Sequence, residues 1–315
     1  MNIIEYPKDT IENFGAAPLA VALGFFDGVH KGHRKLLALT KREAEKRGYT
    51  PAIFTFRSEC ESIKRGSGRI YSTEKKLEIF SSLGFDTVIL ADFEKIASLD
   101  AESFVKDVLI KKFNTALAVA GYNFRFGKGA LANSGTLTEL MTGAGLDAVI
   151  MDEELYQGRT LSTTEIKTAL KEGRTEEAGK MLGYPYFSDS IVERGEGLGK
   201  NLGFPTVNSR LSSETSFLRG GVYRSAVMID GRLYNAVTNI GTCPTFEERD
   251  CHSETFIIGY DGNLYGKKIR TFFLGYLREE KRFKDKKDLI LQINIDKNKA
   301  IEENGDLKWL ETGLN

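Results

Sequence analysis

A chain of 315 residues, 41% hydrophobic and 28% charged, is long enough for two domains with separate cores. Forty-four basic residues balance forty-four acidic ones, which excludes a strongly basic field for nucleic acid, so any anionic ligand has to be held by local groups. Cys60, Cys243 and Cys251 form no C-x-x-C, no apolar run reaches 18 residues, and the first residues carry neither a basic leader nor an apolar core; the reading is a cytoplasmic protein with no membrane partner.

In chain order, the apolar run Pro18 to Phe26 predicts a buried parallel strand, and Arg34 to Arg47 predicts an amphipathic helix. Between them Leu23-Gly24-Phe25-Phe26-Asp27-Gly28-Val29-His30-Lys31-Gly32-His33 forms a tight, glycine-rich strand-to-helix turn. Backbone N–H groups at a helix N-terminus attract anions, and glycine lets the backbone approach a ligand that a Cβ would hold away. Two of the three histidines in the chain, His30 and His33, stand at that point.

Short β-rich runs then alternate with helical stretches as far as about Gly183. Strands are expected at Ala52–Phe56, Asp86–Leu90, Ala116–Ala120 and Asp147–Met151, and helices at Thr73–Ser82, Ala101–Lys112, Ser134–Gly143 and Thr175–Leu182. Alternation of this kind predicts a parallel sheet covered by helices, whose ligands bind beyond the carboxyl ends of the strands. Gly121-Tyr122-Asn123-Phe124-Arg125-Phe126-Gly127 follows one of those strands, with Asn123 offering both donor and acceptors. Gly127-Lys128-Gly129-Ala130-Leu131-Ala132 fits a dinucleotide fingerprint in spelling, but no strand leads into it in the required unit. Ser162 and Glu165 make a capping box for a helix that also carries Thr163 and Lys167.

From Tyr184 the texture changes. Ser188–Glu193, Val222–Ile229, Arg232–Asn239, Ser253–Tyr260 and Lys267–Leu277 read as strands, Asp230-Gly231 and Asp261-Gly262 as turns, and a helix is expected from about Asp285 to Glu303 with Asp285 or Asp288 as its N-cap. The domains are therefore placed at residues 1–183 and 184–315, the second a small antiparallel barrel or sandwich with a C-terminal helix. Gly195-Glu196-Gly197-Leu198-Gly199-Lys200-Asn201 is not a P-loop, because three residues separate Gly195 from Gly199 where the motif needs four, and Asn201 replaces Ser or Thr. What remains is a glycine-rich flap followed by Thr206 and Asn208, which share a face in an extended segment. They read either as satisfied turn residues or as hard-oxygen donors to a magnesium ion.

Gly24-x-Phe26-Asp27-Gly28-Val29-His30-x-Gly32-His33 resembles the signature of the nucleotidylyltransferase superfamily, in the longer form found in bacterial bifunctional riboflavin kinase/FAD synthetases. The resemblance implies an α/β, Rossmann-like nucleotidylyltransferase domain in which His30 and His33 stabilise the triphosphate. It also implies nucleotide contacts from Gly24, Phe25, Asp27, Gly32, Asn123, Ser162, Thr163 and Lys167. Thr55-Phe56-Arg57-Ser58-Glu59-Cys60 departs from the family's T-F-x-P-H-P, which leaves open a riboflavin kinase with a weak or inactive adenylyltransferase half.

Gly203-Phe204-Pro205-Thr206-Val207-Asn208 resembles the G-F-P-T-A-N signature of riboflavin kinases, and Asn239-Ile240-Gly241-Thr242-Cys243-Pro244-Thr245-Phe246 resembles their N-I-G-x-x-P-T-F loop. By resemblance the second half is an all-β barrel with its pocket at the barrel mouth. Gly195, Gly197, Gly199, Lys200 and Tyr265 would then serve ATP, Thr206 and Asn208 Mg²⁺, Arg278 and Lys281 the flavin, and Glu254 the proton of the substrate hydroxyl. The implied activity is phosphorylation of riboflavin by ATP to FMN, followed by adenylylation of FMN with a second ATP to FAD and pyrophosphate. A flavin-binding regulatory protein is the reading from another class; retention of Glu254 speaks against it, since binding alone needs no proton acceptor.

Overall fold

The structure, a computed structural model, describes residues 1–8, 17–58, 68–194, 199, 202–210, 218–241 and 252–313. The chain divides into two compact units, Met1–Leu161 and Ser162–Asn315.

The first unit is built on a six-stranded parallel sheet: β1 (Asn2–Tyr6), β2 (Leu19–Leu23), β3 (Thr50–Phe56), β4 (Thr87–Ala91), β5 (Thr115–Gly121) and β6 (Asp147–Met151), in the order β1-β4-β3-β2-β5-β6. All five residues of β2 are buried, as befits a strand flanked on both edges and covered on both faces. Leu19, Val21 and Leu23 join a core with Phe54, Phe104, Leu137 and Met141. Helix α1 (Lys31–Arg47) packs on β2, β3 and β5 through Leu36, Leu37, Thr40 and Ala44, spaced to fall on one helical face. Helices α2 (Thr73–Ser82) and α3 (Ser134–Gly143) have the expected spans and are capped by side chains: the Ser72 hydroxyl accepts the Lys75 N–H and the Asn133 side chain accepts that of Thr136.

Two elements differ from the sequence reading. The expected helix over residues 101–112 is helical only for Ala101–Ser103 before it widens into a π-helix at Phe104–Lys112, which turns Phe104, Val105, Val108 and Leu109 inward. The edge strand β1 carries no clear local signal, because it exists through its parallel pairing with β4, from Asn2 opposite Thr87 to Tyr6 opposite Ala91.

The second unit begins with helices α4 (Thr163–Lys171) and α5 (Thr175–Leu182) and continues into a closed barrel. Its strands are β7 (Phe187–Glu193), β8 (Thr206–Arg210), β9 (Gly221–Ile229), β10 (Arg232–Ile240), β11 (His252–Ile257) and β12 (Lys268–Arg278), in the order β7-β8-β11-β10-β9-β12, all antiparallel. The texture boundary at residue 183 marks the change from helix to strand, whereas contacts join α4 and α5 to the barrel. Arg224 on β9 pairs with Glu176, the Arg219 N–H donates to the Leu170 carbonyl, and a Cβ on Gly173 would lie 3.1 Å from the Tyr276 ring. Helix α6 (Lys286–Asn304) takes the first of its two expected caps, with the Asp285 carboxylate accepting from the N–H groups of Lys287 and Asp288, and packs on β9 and β10.

Candidate functional sites

In the first unit the chain runs from β2 to β3 and β4 on one side of the sheet and from β5 to β6 on the other, so the topological switch point lies between β2 and β5. The segments leaving these two strands are the histidine loop and the Asn123 turn. In the loop Phe26 and Val29 take left-handed φ angles of 54° and 38°, a conformation that costs about 1–2 kcal/mol per non-glycine residue. Packing offsets this: Phe26 is buried edge-on to His33 and Phe80, at centroid distances of 5.2 and 5.8 Å. Gly24 and Gly32 leave room for rings, since a Cβ would lie 2.9 Å from the end of Phe26 and 3.2 Å from the His30 imidazole respectively. Asp27 is buried and accepts the Ile70 N–H at 2.9 Å, which ties the loop to the start of α2.

The imidazoles of His30 and His33 stack with centroids 3.6 Å apart and planes 18° from parallel. His30 Nδ1 accepts the His33 N–H and so acts as the N-cap of α1; neutral His30 then carries its proton on Nε2. Burial pushes His30 down to about 4. Burial first, then the neighbouring His30 and the Lys76 ammonium, hold His33 well below the ordinary imidazole range. His33 Nδ1 is buried without a hydrogen-bond partner among the described residues.

Sequence reasoning missed two cations here. Lys76 is fully buried, donates to the Phe25 and Phe56 carbonyls at 3.2 and 2.8 Å, and lies 4.6 Å from the centre of the Phe25 ring. The Arg69 guanidinium sits 4.4 Å from the same ring, so Phe25 contacts two cations. Neither was legible, because a cationic side chain reads as solvated until its neighbours are known. Asn123 is exposed in the turn after β5, and Gly127, with φ of +75°, lies against the Ala101 backbone, where a Cβ would approach the amide nitrogen to 3.2 Å. Ser162, Thr163 and Lys167 belong to the second compact unit: Ser162 caps α4 by accepting the Glu165 N–H at 3.2 Å, Thr163 is the first helical residue, and Lys167 is buried.

In the second unit a cavity of about 380 Å³ is lined by Gly199, Thr206, Asn239, Glu254, Arg278 and Lys281, among polar and small groups, with Phe204, Val237, Phe256 and Ile293 among the apolar ones. Strand register builds its wall. Glu193, Asn208, Glu254, Asn239, Val222 and Arg278 stand opposite one another in a single row that crosses all six strands. Directly opposed residues share a face, so Glu254 lies between Asn208 and Asn239, and the next row on that face brings Thr206, Phe256 and Val237 together. Asn208 opposes Glu254 but does not itself line the cavity.

The cavity is not at the barrel mouth, as the sequence reading held. The alternate residues Ser209, Ser253, Thr255 and Thr238 are the buried, inward-facing ones, so Glu254 and its row lie on the outer face, with α6 contributing Leu289, Ile293 and Asp296 as the opposite wall. Gly199 is required where it stands: a Cβ would collide with the Phe204 carbonyl and lie 3.1 Å from Thr206 Oγ1. Arg278 lines the cavity, yet its guanidinium is turned to α6. Nε and one terminal nitrogen reach the buried Asp296 at 3.0 and 2.8 Å, and the other donates to the Glu279 carbonyl at 3.0 Å. Lys281 is exposed at the cavity edge, and Asn239 donates to Glu280 at 2.9 Å. Tyr265 is 57% exposed in the β11–β12 connection, with the Arg194 guanidinium 6.0 Å from its ring centre, and is not part of the cavity lining. Gly195, Gly197, Lys200, Glu59, the 242–246 loop and all three cysteines lie outside the described residues.

Comparison with known proteins agrees with this division. The FAD synthetase family pattern matches residues 15–165 and the riboflavin kinase pattern residues 182–303. A Bacillus subtilis bifunctional riboflavin kinase/FMN adenylyltransferase is 32% identical over 313 residues, covering 97% of this chain and 98% of its own length. An Escherichia coli protein of the same description is 30% identical over 300 residues, covering 93% and 96%. A crystal structure described as a macrolide-efflux protein from Streptococcus pneumoniae superposes with a TM-score of 0.86 at 26% identity, covering 96% of this chain and 99% of that one. Among the described residues no helix is long and apolar enough to cross a membrane. The chain therefore belongs to the bifunctional riboflavin kinase/FMN adenylyltransferase family, with an FAD synthetase domain followed by a riboflavin kinase domain.

Proposed function

We propose that this chain makes FAD from riboflavin in two ATP-dependent steps in the cytoplasm, with catalytic modules at residues 1–183 and 184–315. The observation that carries the kinase assignment is the register row that sets Glu254 opposite Asn208 on the face where Thr206 and the 380 Å³ cavity lie. Phosphoryl transfer to an alcohol needs a charge-neutralised phosphate, in-line placement of the hydroxyl and an acceptor for its proton. Apolar groups of β8–β11 and α6 hold the flavin ring system. Glu254 takes the proton from the ribityl 5′-hydroxyl as the γ-phosphoryl group moves onto that oxygen and ADP leaves. Lys281 adds positive charge at the cavity edge, while Arg278 acts chiefly by holding α6 in place through Asp296.

The hydroxyl of Thr206 and the amide oxygen of Asn208 are neutral, hard donors on one strand face, and Gly199 keeps the space beside Thr206 clear, so the residues suit a magnesium ion. When bound with ATP, that ion supplies positive charge to the phosphates. In the other half a phosphate oxygen of FMN attacks the α-phosphorus of a second ATP and pyrophosphate leaves. His30 and His33, at a helix N-terminus with Lys76 near His33, stabilise the developing charge without forming a covalent bond. Burial favours the neutral form of both imidazoles, and an adjoining polyphosphate favours the protonated one.

The test is a division of labour between two purified variants. Glu254→Gln is expected to lose FMN formation and keep FMN-to-FAD conversion, and His33→Ala the reverse. Loss of both activities from one change in a folded protein overturns the assignment. Incubation of FMN, ATP and Mg²⁺ with the unaltered chain must release pyrophosphate; no release leaves a riboflavin kinase with a silent first half.

A further inference from the structure

The barrel interior is unexpectedly polar. Ser209 and Ser253 share a hydrogen bond between their hydroxyls at 2.8 Å, joining β8 to β11. Ser225, Thr238 and Thr255 form a chain with links of 2.8 and 3.0 Å that crosses β9, β10 and β11. All five residues are at most 3% exposed. Burying hydroxyls is unfavourable against apolar side chains of the same size unless they are bonded, and the bonds recover little beyond that cost. Stability alone is therefore a weak reason for this row. Direction is a better one: a hydroxyl-to-hydroxyl bond fixes the separation and register of two strands, where methyl groups would tolerate sliding.

The placement of the row gives that rigidity a use. Side chains alternate along a strand, so four of the five inward hydroxyls are chain neighbours of an outward residue in the cavity row, and Ser225 joins them through its bond to Thr238. Ser253 and Thr255 flank Glu254 on both sides; Ser209 adjoins Asn208; Thr238 adjoins Asn239. We propose that this buried hydroxyl ladder is a positioning device for the phosphoryl transfer: Ser209–Ser253 and Ser225–Thr238–Thr255 hold the backbone on either side of Glu254, and so fix its carboxylate against the substrate hydroxyl. The proposal rests on Glu254 being the proton acceptor. None of the five touches substrate; they act through Glu254, Asn208 and Asn239.

Thr255→Val keeps the side-chain shape and deletes the link to β10, and Thr255→Ser restores a hydroxyl. In the full-length chain Thr255→Val is expected to lower kcat for FMN formation about tenfold or more, since displacements near 1 Å cost on the order of 10²-fold. KM for riboflavin and ATP should stay within about twofold, FMN adenylylation should be unchanged, and Thr255→Ser should recover most of the loss. Thermal unfolding and circular dichroism establish that each variant is folded. If Thr255→Val does not fold, Ser253→Ala, which cuts the link to β8 with a smaller change, is held to the same kcat and KM criteria. A folded variant with unaltered kcat, or one whose loss lies wholly in KM, overturns the proposal. Glu254→Gln, run alongside, separates the two failures: if it keeps kinase activity the assignment of the base is wrong, and if it is inactive while Thr255→Val is fully active, only the ladder's role is wrong.

Discussion

The two candidate sites are built in opposite ways. The first packs its chemistry into one turn: two imidazoles three residues apart, their helix cap and their glycines lie within Gly24 to His33. The second has no such centre. Its lining comes from five barrel strands, β8 to β12, and from α6, and what unites the strand residues is register rather than a sequence motif. A site made by a turn depends on local strain and on what packs beneath it, while a site made by register depends on strands distant in sequence remaining aligned.

The sharpest way to break the comparison is to remove the group on which each site turns. Glu254→Gln should cost about 10²–10⁴-fold in riboflavin phosphorylation, the usual contribution of general base catalysis. The distributed site should also fail from far away. Asp296→Ala leaves the Arg278 guanidinium, 15% exposed, without its partner, and breaking a buried pair from one side costs about 3–5 kcal/mol. The single tryptophan, Trp309, reports on this unit, so its fluorescence in urea should show an earlier transition, accompanied by a raised KM for riboflavin. An unshifted transition would mean that α6 is held by something else.

In the compact site, His33→Ala should lower FAD formation from FMN by about 10²–10³-fold, the cost of deleting one preorganised donor. A smaller and purely thermodynamic effect follows from His30. Its folded value of about 4 lies below the unfolded value of about 6.5, so between these the unfolded chain binds more protons and stability falls as the pH drops. The slope approaches about 1.4 kcal/mol per pH unit only below 6.5, where the unfolded histidine is already protonated, so lowering the pH from 6.5 to 5 should destabilise the first unit by about 1.5 kcal/mol through this group. His30→Asn should flatten that acid slope in hydrogen exchange of the β2 amides; an unchanged slope would assign the loss to other groups.

What was legible in the sequence follows the same line. Strand β2, helix α1 and the caps at Ser162 and Asp285 are set by residues within a few positions of one another, and local reading found them. Strand β1 was missed because only β4 makes it a strand. Lys76 and Asp296 were missed because a charge on a helix looks solvated until its neighbours are known, and each is buried against groups far away in the chain. Thr206, Asn208 and Glu254 were found as candidates, but the face of the barrel they occupy followed only from inward burial of the residues between them.

The wall that α6 gives the second cavity has a consequence for biogenesis. Every strand of the first sheet has been synthesised by residue 151, so that half can settle while the remainder is still on the ribosome. The cavity of the second unit lacks Leu289, Ile293 and Asp296 until the last long helix emerges, so a nascent chain stalled shortly before it would present the outer barrel wall bare. The newborn protein would then become able to use FMN before it could make any.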